Sequence, residues 1–219
     1  MAKHNSSPAP RISLNAPVGL AEGDVQTLEP HESREGERFD GGDLTDVDLS
    51  GAAFLECDLD GVTLTDTGLR GARFVDSQIT SPFATSLVAA RSIWRRVRVE
   101  NARWGSAELF DAEFESVILS GGKIDFLNFR GAKLTDVLIE NAQITELDLA
   151  SFIGTRVAIR NCRIDTIDFT RATCLDVDLR ETTFVRVLGI QGMRGTILGQ
   201  EQLADFAPIM ASQLGIRVE

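Results

Sequence analysis

The sequence predicts an all-β solenoid followed by a short C-terminal helix, and three observations predict it. Large apolar residues recur every fifth position, smaller ones precede them by two, and charge is barred from both sets. From Phe39 the first set reads Phe39, Leu44, Leu49, Phe54, Leu59, Leu64, Leu69, Phe74 and Ile79, and it runs on through Trp94, Trp104 and Phe129 to Phe184. Within it only Ala84, Ala89, Gly154 and Cys174 are small. The second set includes Ala52, Val62, Ala72, Ala102, Ala112, Ala132, Ala142 and Ala172. Residues 39–187 hold 40 charged side chains, and none falls in either set. A helix repeats every 3.6 residues and a strand every two, so neither confines charge in this way. A period of five with two inward positions needs a backbone that turns a corner once per repeat.

Segments such as GARFVD, GAKLTD and NAQITE carry a small residue, a polar one, Leu or another large apolar residue, and two further polar ones. This pattern resembles the pentapeptide-repeat family, and the resemblance covers about two-thirds of the chain. It implies a right-handed, four-sided β-helix with four pentads per coil, so that residues twenty apart stack. The columns read at that spacing differ in kind. Phe54, Phe74, Trp94, Phe114 and Leu134 form an aromatic ladder, Leu59 to Leu179 an aliphatic one, and Val97, Val117, Val137, Val157 and Val177 a valine ladder. Like residues stacked in adjacent coils pack without gaps. At Gly154 the large residue is missing while Phe152 fills the small slot before it, which conserves inward volume. Seven and a half coils at roughly 4.8 Å each make a rod of about 36 Å.

A solenoid exposes strand edges at both ends, and each end needs a cover. Residues 1–36, rich in Pro, Ser and Gly, read as a flexible tail in which Val25 and Leu28 offer a short cap. Residues 37–190 form the solenoid and residues 191–219 a capping helix and tail. His4 and His31 fall outside the rod and lack an oriented partner for catalysis. In the helix Leu203, Phe206, Ala207, Met210 and Leu214 recur at helical spacing. These five are expected to cover the final coil and, as in the mycobacterial relatives the resemblance implies, to support a homodimer.

Composition excludes several function classes. No apolar stretch reaches membrane-span length and no secretory leader opens the chain, so a cytoplasmic location is the default. Cys57, Cys162 and Cys174 lack metal or redox spacing and read as buried hydrophobes. No phosphate loop, catalytic triad or metal-spaced cluster occurs, so a non-enzymatic protein without cofactor is expected. Function should therefore lie in protein–protein binding.

The net charge of −11 is uneven: residues 21–80 carry 15 acids and 4 bases, whereas residues 81–110 carry 2 acids and 5 bases. The basic girdle is Arg91, Arg95, Arg96, Arg98 and Arg103. Trp94 and Trp104 beside it belong to the inward set, so nucleic-acid binding is not expected. Two contact surfaces follow. Asp46, Glu56, Asp58, Asp66 and Asp76 mark an acidic one; the family's quinolone-resistance members resemble a B-DNA rod in width and charge and bind DNA gyrase or topoisomerase IV. The loop-free phase of this chain is similar to the mycobacterial type, although the arginine girdle interrupts the acidic surface that mimicry requires. The alternative is a scaffold that binds an unrelated partner through an apolar patch near residues 83–126, marked by Phe83, Ile93, Phe110 and Phe126.

Overall fold

The computed structural model describes residues 9–213 and 215–217. It is a right-handed β-solenoid of about nine coils with a C-terminal helix, Gln200–Gln213. Through the repeat every strand pairing is parallel with an offset of twenty, as in Phe54↔Phe74 and Phe74↔Trp94. The strands gather into a fourteen-stranded and a six-stranded sheet. The six-stranded sheet, hereafter the Phe83 face, consists of Phe83–Val88, Arg103–Glu108, Lys123–Asn128, Gln143–Asp148, Arg163–Asp168 and Thr183–Leu188.

Outside the Phe83 face, and in the first coils beneath it, corners recur at the residue three before the large apolar one and hold a left-handed backbone there. Asp46, Glu56, Asp66 and Asp76 have φ of 61°, 52°, 53° and 50°. Short polar side chains tolerate this region better than branched ones. The stacked core follows the columns. Phe54 lies 5.1 Å from Phe74 at 7°, Phe74 lies 4.3 Å from Trp94, and Trp94 lies 5.7 Å from Phe114 at 9°. The valine ladder is buried along its length. Phe152 is fully buried, and a Cβ on Gly154 would stand 2.5 Å from its ring, so the ring occupies the space a side chain at 154 would need.

At the N-terminal end the coil reaches further back than residue 37. Ala21–Glu22 pairs with Glu37–Asp40, and Ser33–Glu35 pairs with Ala53–Leu55. His31 is a corner residue of this first coil, its N–H donating to Ser50 O at 2.9 Å. Leu28 is buried and Val25 packs against the core, closing the bottom of the rod. Residues 9–20 lie along the rod as an extended strap. The Arg11 N–H donates to Asp136 Oδ1 at 2.8 Å, the Ser13 N–H donates to Ser116 Oγ at 2.7 Å, and Asn15 Nδ2 donates to Asp76 Oδ1 at 3.2 Å. Pro10, Ile12 and Leu14 are half-buried while Arg11, Ser13 and Asn15 are exposed, the alternation of an extended chain with one face down.

The C-terminal helix covers the last coil through a different stripe from the one its apolar spacing suggests. Phe206 is buried at 5% exposure and meets Phe184 edge-on at 5.7 Å, and Ile209 packs against the core. Gln202 completes the covering face: its Nε2 donates to Leu179 O at 2.8 Å and Thr182 O at 2.7 Å. Leu203, at 55%, and Ala207 and Met210 are exposed instead, and Leu214 lies outside the described residues. The reason is physical: the open end of a coil presents unpaired carbonyls as well as apolar surface, so a polar donor on the covering stripe outweighs another leucine.

Candidate protein-interaction faces

Twenty residues complete a coil, so residues ten apart lie on opposite sides of the rod. This divides the five expected acids. Asp46 and Asp66 stack on one corner row, whereas Glu56 and Asp76 stack on the diagonally opposite one, with Asp58 on a strand beside it. The second group is also partly neutralised. Arg96 grips Asp76 through two hydrogen bonds of 2.5 and 2.6 Å, holding its carboxyl below the usual carboxylate range. Arg38 stands 3.9 Å from Asp58, whose own burial pushes its pKa up.

Asp46 and Asp66 have other companions. Asp43 and Asp48 are exposed beside Asp46 in the first two coils, where bridges Asp43↔Thr63 and Thr63↔Phe83 stack them beneath the Phe83 face. The Thr45 hydroxyl and N–H bond to Asp43 and hold its carboxyl below the ordinary range, and Ser50 does the same for Asp48. All four carboxylates are without an ion pair among the described residues. Asp43 and Asp48 share one pentad position, and the stacking at twenty places both beneath the Phe83 face.

The arginine girdle is largely an internal ladder. Arg91 pairs with Asp111 at 3.8 Å, Arg95 with Glu115 at 3.6 Å, Arg96 with Asp76 and Arg98 with Glu100 at 3.4 Å. Most of these partners are twenty residues away, one coil along. Of the five girdle arginines, only Arg103 lacks an ion pair among the described residues.

The expected apolar patch is divided as well. Phe83, 45% exposed, and the half-buried Phe126 lie on the Phe83 face, whereas Ile93 and Phe110 lie on other sides of the coil, both half-buried. A contiguous stretch of forty residues winds twice round the rod and so distributes its side chains over every face. The larger exposed apolar residues gather near the C-terminal end: Leu175, Val185 at 70%, Leu188, Leu203 and Met210. The cysteines are reduced; burial pushes the thiols of Cys57 and Cys162 up and that of Cys174 to about 11, which leaves them poor nucleophiles.

Five-residue steps, four corners per coil and parallel pairing at twenty residues decide the architecture. Over residues 43–77 the coils match pentapeptide repeats. The family model that matches there is described as pentapeptide repeats (8 copies). No curated protein matches the sequence. Among solved structures, a trypsin-treated variant of QnrB1, a plasmid-mediated fluoroquinolone resistance protein, is 19% identical over 90% of this chain and 94% of its own, with a TM-score of 0.36. HetL, a pentapeptide-repeat protein involved in heterocyst differentiation regulation from the cyanobacterium Nostoc sp. strain PCC 7120, is 13% identical over 73% of this chain and 86% of its own, with a TM-score of 0.29. At these scores the likenesses are too weak to carry a statement about function. No helix among the described residues is long and apolar enough to cross a membrane.

Proposed function

We propose that this pentapeptide-repeat solenoid is a protein-binding rod whose N-terminal coils present Asp43, Asp46, Asp48 and Asp66 to a basic, DNA-binding surface of a partner protein. The observation that carries this reading is the contrast in charge pairing. These four acids are exposed and make no ion pair among the described residues, whereas most of the girdle arginines already hold acids of their own. Unpaired carboxylates on a rigid frame meet a cationic groove without first breaking internal ion pairs, and their field speeds the encounter. The partner this reading names is a type II topoisomerase such as DNA gyrase or topoisomerase IV, the target implied by the resemblance to quinolone-resistance proteins. Glu56, Asp58 and Asp76 belong to the opposite side and are left out of the contact.

A supercoiling assay with purified gyrase tests it. The protein should inhibit at micromolar concentration in low salt, and inhibition should fall steeply as salt rises. Changing Asp46 and Asp66 together to Lys should abolish inhibition, while changing Glu56 and Asp58 to Lys should leave it nearly intact. Absence of inhibition by the native chain in low salt would sink the topoisomerase reading.

A second reading concerns a second copy of this chain. The exposed Leu203 and Met210 on the helix, with Val185 and Leu188 on the last coil, support self-association through the C-terminal end. Sedimentation velocity checks it: a dimer is expected, and Leu203→Glu combined with Met210→Glu should return a monomer.

A further inference from the structure

Along the middle coils many outward charges stack on opposite ones, and the stacked cations Arg103 and Lys123 do not. The opposite pairs include Asp76 with Arg96, Glu113 with Lys133 and Asp136 with Arg156. Arg103 and Lys123 are directly stacked and both positive. Like charges opposite each other on neighbouring strands repel. The other stacked cations, Arg160 and Arg180, share the carboxylate of Asp178. Arg103 has no acid among the described residues, and Lys123 has only the exposed Asp125 at 3.6 Å.

Three further features meet at the same place. Phe83 is the next residue in that column, directly stacked on Arg103, and is one of the few large aromatic rings the rod leaves exposed. Gly105 and Gly122 withhold side chains beside it, which opens a hollow of about 810 Å³ lined also by Trp104. A Cβ at Gly105 would collide with the carbonyl oxygen of Thr85, so backbone alone can floor the hollow there. Trp104 is 4% exposed and its Nε1–H has no acceptor among the described residues. The other tryptophan, Trp94, donates its ring N–H to Ser92 Oγ at 2.7 Å. The ring lies on the core side of the chain, so it borders the hollow without offering this N–H to its contents.

We propose that this hollow binds a carboxylate carried by an aromatic ring, with the carboxylate bridging Arg103 and Lys123 and the ring lying over Gly105 against Phe83. The cation pair answers the negative charge, Arg103 offers the planar fork that suits a carboxylate, and the exposed phenyl wall answers the flat apolar part. A free aromatic acid and the C-terminal residue of a peptide share this chemistry. The site is separate from the acidic coils below it and does not depend on the topoisomerase reading.

The two indole N–H signals of the ¹⁵N-labelled full chain provide the test, assigned with Trp94→Phe. N-acetylphenylalanine, the peptide Gly-Gly-Gly-Phe with a free C-terminus, and N-acetylphenylalanine amide are titrated in turn. The first two should shift the Trp104 signal saturably and leave the Trp94 signal in place, while the amide should not. Tighter binding of the peptide points to a peptide tail as the source, and equal binding points to a free acid. Arg103→Gln, a change at an exposed side chain, should weaken binding about tenfold, the loss of one charged contact. Arg163→Gln, on the same face two coils beyond Lys123, should leave binding unchanged. Binding of the amide as tightly as the acid, equal effects of the two arginine variants, or no saturable shift at millimolar ligand would each overturn the proposal.

Discussion

The first two coils and the later ones answer the same five-residue pattern with different backbones. Where the Phe83 face begins, Asp46 and Asp66 turn a left-handed corner, and Val47 and Thr67 close it with N–H bonds to Leu44 O and Leu64 O at 3.0 and 3.3 Å. In the next coils Ser86, Ser106, Phe126, Glu146 and Thr166 occupy the same column without a positive φ, and the chain runs straight for six residues. The inward slot that follows explains the change. It holds Val47 and Thr67 early, then Leu87, Leu127, Leu147 and Ile167, all fully buried. A longer side chain needs a wider face, and a straight strand supplies it. Ala107 is small and still lies in a straight strand, because the ladders on both sides of it are straight and register propagates between coils.

The largest test of this difference is volume at the second inward slot. Phe152→Ala should cost about 3–5 kcal/mol in urea unfolding, because Gly154 offers nothing to refill the space. Leu147→Ala should cost about 2–5 kcal/mol, while Val47→Ala, at a half-buried slot in the corner-turning region, should cost clearly less. Equal losses at positions 47 and 147 would break the comparison.

Acid sharpens the contrast between paired and unpaired charge. Arg156 chiefly, with the Arg11 N–H, holds the Asp136 carboxyl below its ordinary value of 3.8. A depressed carboxyl adds stability that is complete above that value and fades as pH falls through the native one. Asp136→Asn should therefore destabilise by about 1.5–3 kcal/mol at neutral pH, and the gap from the native chain should close in acid. The smallest test concerns the corners themselves and turns on sign. Asp66→Gly should stabilise by up to about 1 kcal/mol, since glycine relieves the left-handed conformation, whereas Thr166→Gly in the straight strand should destabilise by about 1 kcal/mol. Thermal melts of the two variants decide it.

Much of this was legible in the sequence. The inward columns were written in charge exclusion, and the Phe152–Gly154 exchange in a single volume argument. Bulk at Leu87 and Leu127 stands in the sequence too, but the pentad frame has no place for a corner that is skipped. The contact faces were harder. Asp46 and Glu56 look adjacent in the chain and lie across the rod from each other, and only stacking at twenty separates them. The covering stripe of the helix was hidden because Gln202 acts through orphan carbonyls of the last coil, which apolar spacing does not record.

The strap changes how the rod should come apart. A solenoid whose coils touch only their neighbours peels from its ends, one layer at a time, with each layer's loss nearly independent of distant ones. Here a single extended segment is fastened to Asp76, Ser116 and Asp136 across several layers. Loosening any one of those layers also loosens the segment's hold on the others. The middle of the rod should then melt as one cooperative block, and hydrogen exchange from residue 76 to residue 136 should report a shared opening free energy instead of a gradient running inward from the ends.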